Sequence, residues 1–221
     1  MPASTNPESA ALSENSASTL IVPGLGNSGP DHWQTLWEQE LPDCRRVELG
    51  LWDHPHRNLW ITKLGIAIRQ AQRPVFIVAH SLGCHALAWW AQQEKTSYAD
   101  KIAGALLVAP PELDSGMVDP RLIAFAPTPL RILPFPSIVV ASGNDPYIDI
   151  DRARRLAFFW GSDFADAGHV GHINAESDLG HWDFGLFLLN RLIGRAGQAR
   201  LAIDPGALRV PSGNVAAPPM V

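Results

Sequence analysis

Short apolar runs alternate along the chain with longer stretches in which apolar residues recur at helical spacing. The short runs have the length and the β-branched content of buried strands. They predict six strands, at Thr19–Val22, Val47–Leu49, Val75–Ala79, Ile102–Ala109, Ser137–Ala141 and Ser162–Ala167. The helical stretches predict helices from Asp31 onward and at about 58–72, 82–93, 148–160 and 184–193.

This alternation of strands and helices indicates the fold class. Such a chain forms a parallel sheet with helices on both faces. The predicted fold is therefore α/β, a three-layer α/β/α sandwich around a mostly parallel six-stranded sheet. Functional sites in such sheets lie beyond the carboxyl ends of the strands. Asp31 is expected to cap the first helix or to sit in its first turn.

Composition narrows the class of protein. The 221 residues, 46% hydrophobic and 18% charged, suit one soluble globular domain. A net charge of −5 without a basic run argues against a nucleic-acid partner, and no apolar run has membrane-spanning length. Cys44 and Cys84 form neither a disulfide framework nor a metal spacing, and nothing near His54–His56 completes a metal site. We expect a cytoplasmic protein without a metal.

The two ends of the chain differ from its middle. Residues 1–18 are rich in Ser, Ala, Asn, Glu and Pro and contain no basic residue, so they are expected to be a disordered tail and not a secretory signal. The domain is expected over residues 19–194. From 195 to 221 the chain turns to Gly, Ala and Pro and is expected to be loosely ordered.

The segment Ala79–Gly83, called the elbow below, joins the third strand to the helix that follows it. Its sequence Ala-His-Ser-Leu-Gly matches the nucleophile elbow of α/β-hydrolases, with Ala in the first small position. In that arrangement a strained turn holds the serine hydroxyl above the end of the sheet. The alternative is that Ser81 merely caps a helix. The choice between the two depends on whether the chain also supplies a base and an acid for the serine.

A serine hydroxyl needs a histidine base, and the histidine needs an orienting carboxylate. In α/β-hydrolases the acid and then the histidine follow the serine along the chain. Asp145 follows the fifth strand, although an aspartate before proline is also common in turns. His169 and His172 both follow the sixth strand, and spacing alone does not distinguish them.

The loop after the first strand contains Gly24, Gly26 and Gly29. An oxyanion hole would take one N–H from Leu82, directly after the serine, and one from this loop, at Leu25 or alternatively at the second glycine. The same glycines spell the Gly-x-Gly-x-x-Gly of dinucleotide-binding proteins. However, no acidic residue ends the second strand to bind a ribose. We therefore expect no cofactor.

Several of these segments together resemble one small family of serine hydrolases, that of retinoblastoma-binding protein nine and its bacterial relatives, within the α/β-hydrolase superfamily. The segments span about residues 19–193 and are Val22–Gly24, Asn27–Gln34, His80–Gly83, Phe135–Tyr147 and Gly171–Ser177. The resemblance implies an α/β-hydrolase with a minimal lid or none, acting on small esters or amides. It implies Ser81 as nucleophile, Asp145 as orienting acid and His172 as base.

The proline-rich segment 110–136 and several aromatic residues are expected to form the walls of the substrate pocket. Core packing is an equally good explanation for large aromatic residues. The expected wall residues are Leu122, Phe125, Leu130, Trp33, Trp52 and Trp182.

Two departures limit what the resemblance implies. Asp178 stands where the bacterial relatives usually have glycine, and the Leu-x-Cys-x-Glu motif of the vertebrate member is missing, so its pocket-protein partner is not expected.

The alternative to an enzyme is a binding or scaffold protein of low turnover on a hydrolase fold. A dinucleotide-binding protein is a further alternative with less support.

Overall fold

The fold is built on a single sheet of parallel strands. A computed structural model describes residues 18–94, 100–114 and 119–203. The strands are β1 (Ser18–Val22), β2 (Cys44–Arg46), β3 (Val75–His80), β4 (Ile102–Val108), β5 (Ser137–Ala141) and β6 (Asp163–Asp166). They form a 6-stranded sheet in the order β2-β1-β3-β4-β5-β6, and every neighbouring pair is parallel.

Helices follow the strands and cover both faces of the sheet. They are α1 (Trp33–Glu40), α2 (Arg57–Gln70), α3 (Leu82–Gln93), α4 (Ile150–Trp160) and α5 (Asp183–Ile203). Short 3₁₀ turns at Ile123–Phe125 and Ala175–Ser177 lie in the longer connections.

Alternate residues of the central strands point to opposite faces and build two cores. Ile77 and Leu107 belong to the core under α2, α3 and α4, whereas Val78 and Leu106 belong to the core under α1 and α5. All four of these side chains are fully buried. Because both faces are covered, the central strands are mostly apolar and their sequences do not alternate. The predicted α/β/α sandwich is confirmed.

The second strand lies earlier than predicted. Residues 44–46 pair with residues 19–21 of β1, whereas the prediction placed this strand at Val47–Leu49. That prediction is wrong because the strand ends at Arg46: Val47 still donates its N–H to the Ile21 carbonyl at 2.9 Å, but Val47 and Leu49 are apolar because their side chains pack in the core. The edge strand itself is polar, since only one of its sides has a neighbour.

The predicted start of α1 and the predicted end of α5 both need correction. The N-cap of α1 is His32, whose Nδ1 accepts a hydrogen bond from the N–H of Gln34 at 3.1 Å, so Asp31 precedes the cap. Helix α5 continues to Ile203, beyond the expected end near residue 193. The remainder of the expected tails, residues 1–17 and 204–221, lies outside the described residues. Within the described part of the chain, no helix has the length and apolarity that crossing a membrane requires.

Candidate active site

Ser81 sits between β3 and α3 in a strained backbone conformation. Its φ of 53° and ψ of −124° lie in a region that residues other than glycine rarely adopt. Two residues on, a Cβ on Gly83 would come within 2.4 Å of the Val22 carbonyl oxygen. The start of α3 therefore nearly touches the end of β1, and only glycine fits there. The elbow has the geometry that its sequence predicts.

The three residues from the ends of β3, β5 and β6 meet in one chain of hydrogen bonds. His172 Nε2 lies 2.9 Å from Ser81 Oγ, and His172 Nδ1 lies 2.9 Å from Asp145 Oδ2 and 3.0 Å from Oδ1. Because an ionised carboxylate only accepts, Nδ1 carries the proton and Nε2 accepts from the serine hydroxyl. The other candidate, His169, is exposed and packs against Gly143.

The carboxylate of this group is dry and well held. The Asp145 side chain is 0% exposed and that of His172 is 10% exposed. Asp145 also accepts a hydrogen bond from the N–H of Tyr147 at 2.9 Å, and the Tyr147 ring packs edge-on against His172 at 4.5 Å. The imidazole is therefore held between a buried acid and an aromatic ring.

Two polar side chains join the loop that carries the aspartate to the loop that carries the histidine. We call residues 142–147 the aspartate loop and residues 167–174 the histidine loop. Ser142 Oγ accepts from the N–H of Val170 at 2.9 Å, and Asn144 Oδ1 accepts from the N–H of Gly171 at 2.8 Å. The Ser142 hydroxyl donates to Asn144 Oδ1 at 2.8 Å. Neither side chain was predicted from the sequence, where the only signal was their position after β5.

Backbone N–H groups beside Ser81 could bind an oxyanion. Leu82 is the first residue of α3, so its N–H has no acceptor within the helix. The loop after β1 packs on the elbow, since a Cβ on Gly24 would lie 3.2 Å from Leu82 N. The N–H of Gly26 is already bonded to the Trp52 carbonyl at 3.0 Å, whereas Leu25 lines the cleft. Of the two candidates for the second donor, the geometry favours Leu25.

Two further histidines surround His172, and neither carries charge at neutral pH. Burial lowers the pKa of His32 to about 4, with smaller contributions from Arg46 and His172. Burial likewise lowers the pKa of His80 well below its usual value of 6.5. The ring of His80 lies 4.8 Å from that of His32 and 5.0 Å from that of His172. His172 is thus the ring of this group that faces the Ser81 hydroxyl.

A cleft of about 300 Å³ opens above Ser81 and His172. Its walls are mixed in character. The apolar lining residues are Leu25, Pro111, Leu122 and Ala175, and the polar and charged ones include Asn27, His32, His80, Asp119, Arg121, Tyr147, Asn174 and Glu176. Leu122 was expected here, whereas the charged residues were not.

The aromatic residues predicted as pocket walls lie in the core. Trp33 and Trp182 are 1% and 5% exposed and pack on each other at 4.8 Å between α1 and α5. Phe125 is 0% exposed and packs edge-on against Trp60. These three predictions are wrong because large apolar rings gain most by full burial. Two other expected wall residues also lie elsewhere: Leu130 borders a different surface depression, and Trp52 packs on the core.

The glycine loop lacks one feature of the dinucleotide-binding fingerprint. Only Gly24 packs against the elbow, whereas a Cβ on Gly26 or Gly29 would meet nothing within 4 Å. Helix α1 begins only at Trp33, so no helix N-terminus follows the last glycine directly. Among the described residues, no group of three or more His, Cys, Asp or Glu side chains could hold a metal ion. Asp178 adopts a left-handed φ of 48°, a backbone conformation that glycine adopts without strain.

Comparison with known proteins identifies the family of the chain. The model of the serine hydrolase family matches residues 19–191. The chain belongs to this family. The family assignment and the fold both agree with the resemblance noted in the sequence. A search of curated proteins finds no match to the chain.

Solved structures support the same placement within the family. A YdeN-like hydrolase from Pectobacterium atrosepticum is 30% identical, with a TM-score of 0.72 over 85% of this chain and 96% of its own. The ydeN gene product from B. subtilis is 17% identical, with a TM-score of 0.66 over 80% of this chain and 99% of its own. A thermophilic esterase from Thermogutta terrifontis is 12% identical, with a TM-score of 0.61 over 81% of this chain and 90% of its own. The last two likenesses concern the fold alone.

Proposed function

We propose that this serine hydrolase cleaves small esters or amides through an acyl-enzyme intermediate, with Ser81 as nucleophile, His172 as base and Asp145 as orienting acid. The observation that carries the proposal is the 2.9 Å contact between Ser81 Oγ and His172 Nε2 on an imidazole whose Nδ1 is bonded to Asp145. The substrate is a small molecule; no nucleic acid, membrane or cofactor takes part.

In the first half of the reaction, Ser81 Oγ attacks the substrate carbonyl carbon as His172 Nε2 accepts the hydroxyl proton. The buried Asp145 carboxylate keeps the proton on Nδ1 and stabilises the imidazolium that forms. The carbonyl oxygen becomes negative and is bound by the N–H groups of Leu82 and Leu25. When the carbonyl re-forms, the bond to the leaving alcohol or amine breaks, and Nε2 returns the proton to it.

In the second half, a water molecule takes the place of the leaving group. The water oxygen attacks the acyl carbon while His172 Nε2 accepts a proton from the water. The bond to Ser81 Oγ then breaks, the serine regains its proton from Nε2, and the carboxylic acid leaves. Each oxyanion-hole N–H lowers the barrier by about 3 kcal/mol in enzymes of this kind.

Two observations support small substrates and ester bonds. The cleft has a volume of about 300 Å³, which suits a compact acyl group or leaving group. One structure with the same fold is an esterase, from Thermogutta terrifontis. Amides remain within the proposal because the same attack applies to them, although an amine is a poorer leaving group than an alcohol.

Labelling by a fluorophosphonate probe tests the nucleophile. The wild-type protein should be labelled, and Ser81→Ala should not. Ser162→Ala is the matched control, since Ser162 lies before β6 at the opposite end of the sheet and bonds Ser137. Equal labelling of wild type and Ser81→Ala would remove Ser81 from the mechanism.

Turnover of a panel of p-nitrophenyl acetate, butyrate and octanoate, with a matching anilide, tests the enzymatic role. We expect hydrolysis well above that of Ser81→Ala, with a preference among the esters. Labelling without turnover of any panel member would instead favour the binding or scaffold protein. A rise in melting temperature with NAD would favour dinucleotide binding, and none is expected.

A further inference from the structure

His80, the residue directly before Ser81, makes a hydrogen bond to the histidine loop. It is the last residue of β3 and is only 5% exposed. Its Nε2 lies 3.0 Å from the backbone carbonyl oxygen of His172. Because a carbonyl oxygen only accepts, Nε2 must carry the proton and donate it. One buried side chain thus connects the strand that presents the serine to the peptide group of the histidine.

The surroundings of His80 keep this hydrogen bond in place. Burial lowers the pKa of His80 well below 6.5, so the ring is neutral at neutral pH. The ring is packed between two others, at 4.8 Å from His32 and 5.0 Å from His172. Such packing restricts rotation of the ring, so its N–H stays directed at the carbonyl.

The histidine loop needs such a connection because little of it is buried. Within residues 167–174 only Ile173 is fully buried. Ser142 and Asn144 hold the loop from the side of Asp145, through the N–H groups of Val170 and Gly171. On the side of the serine, the hydrogen bond from His80 reaches the backbone of His172 itself.

We propose that His80 is a positioning residue that sets the distance between Ser81 Oγ and His172 Nε2 by holding the His172 carbonyl. This inference rests on the proposed function, because it assigns a role in the same reaction. Since His80 and Ser81 are consecutive, any shift of the serine carries the hydrogen-bond donor with it. A misplacement of about 1 Å between reacting groups costs on the order of 100-fold in rate.

Two substitutions separate this role from simple packing. In His80→Gln the amide nitrogen can take the place of Nε2 and still donate to the His172 carbonyl. In His80→Asn the amide is one carbon shorter and reaches only the place of Nδ1. We expect His80→Asn to lower kcat by about 10- to 100-fold with KM changed less than about 3-fold. His80→Gln should recover most of kcat.

A control variant accounts for lost stability. Trp37→Phe removes another buried ring N–H that donates to a loop carbonyl, that of His181, at 2.7 Å. It should lower the melting temperature as His80→Asn does, while kcat stays near that of wild type. The measurements are kcat, KM and melting temperature for wild type and the three variants, on the ester that wild type cleaves fastest.

Three results would overturn the inference. Wild-type kcat in His80→Asn would show that the hydrogen bond does not matter, and equal loss in the Asn and Gln variants would show that shape and not the donor matters. A rise in KM with unchanged kcat would make His80 a substrate contact. Failure of the proposed function is distinguishable, because wild type itself would then neither hydrolyse the esters nor react with the fluorophosphonate.

Discussion

The elbow and the histidine loop meet at the same cleft but are held by different forces. The elbow follows a strand whose six residues are all buried, and Gly83 presses against the backbone of Val22. The histidine loop has only one fully buried residue, Ile173, and hydrogen bonds join it to Ser142, Asn144 and His80. Close packing holds the first segment, and directional polar contacts hold the second.

This difference indicates how each segment should respond to mutation. Close packing contributes to the free energy of unfolding, because a clash there raises the energy of the whole native state. Polar contacts on a partly exposed loop contribute less to stability. Their effect is mainly on the position of the His172 imidazole. Changes in the close packing of the elbow, at Gly83, should therefore appear in stability, and changes at the histidine loop in rate.

The largest effect should come from the histidine loop and should leave stability nearly unchanged. His172→Ala removes the proposed base, so we expect ester turnover to fall by at least about 1,000-fold with little change in the midpoint of urea unfolding. The control is His169→Ala, on the same loop but exposed, which should retain most of the activity. The reverse pattern would move the base to His169.

The next effect should come from the elbow and should appear as lost stability. Gly83→Ala places a methyl group 2.4 Å from the Val22 carbonyl oxygen and 2.6 Å from that of Pro23, and backbone atoms cannot easily move away. We expect the free energy of unfolding to fall by about 3 kcal/mol. Gly194→Ala, a helix position where a Cβ meets nothing within 4 Å, should be neutral or slightly stabilising. Equal stability of the two variants in urea unfolding would contradict the packing argument.

Acid should destabilise the protein through the buried histidine behind the elbow. His85 on α3 bonds the Pro111 carbonyl at 2.8 Å, and burial lowers its pKa to about 4 from 6.5. Between these two pH values the unfolded chain binds a proton that the native state does not, so stability falls as the pH falls. For this residue the loss approaches about 3 kcal/mol near pH 4. His32 and His80 act in the same direction.

Urea unfolding at about pH 7.5 and about pH 5 measures this loss. His85→Gln, which can keep a hydrogen bond to the carbonyl but cannot titrate, should reduce the difference between the two conditions. His54→Gln, at an exposed histidine, should leave the difference unchanged. A difference as large in His85→Gln as in wild type would show that other groups dominate.

The smallest predicted effect concerns the contact between the aspartate loop and the histidine loop. Asn144→Ala removes the oxygen that accepts from the N–H of Gly171 and from the Ser142 hydroxyl. We expect kcat to fall by about 10-fold, with about 1 kcal/mol of lost stability. Asn144→Asp keeps an accepting oxygen at the same place and should retain more activity than the alanine variant. If both variants lose the same activity, Asn144 does not position the loop through this oxygen.

The sequence predicted the elbow well because everything that defines it is local. A buried strand, a strained serine and a glycine at a close approach are neighbours along the chain, so their pattern can be read directly. The second strand was misplaced because apolar residues at Val47 and Leu49 serve the core, while the true edge strand at residues 44–46 is polar. A segment whose side chains pack in the core has the same apolar pattern whether or not its backbone pairs in the sheet.

The cleft was predicted less well than the residues at its base. Trp33, Phe125 and Trp182 were expected to line it but pack in the two cores, whereas Asp119, Arg121 and Glu176 line it without any sequence signal. An aromatic residue in the sequence does not reveal which face of its helix or loop meets solvent. That choice depends on how the segment packs on the sheet.

The sequence by itself determined the order of strands and helices, the strained serine between β3 and α3, and the placement of an aspartate and two histidines after later strands. The spacing of the residues left His169 and His172 open, and only the family resemblance implied His172. The tertiary structure then showed that His172 Nε2 lies beside the serine hydroxyl, that the N–H of Gly26 is bonded to the Trp52 carbonyl, and that His80 bonds the histidine loop. The physical reason is the distance along the chain between the residues that interact. Secondary structure and strain follow from neighbouring residues, whereas hydrogen bonds between loops depend on how distant segments pack against one another.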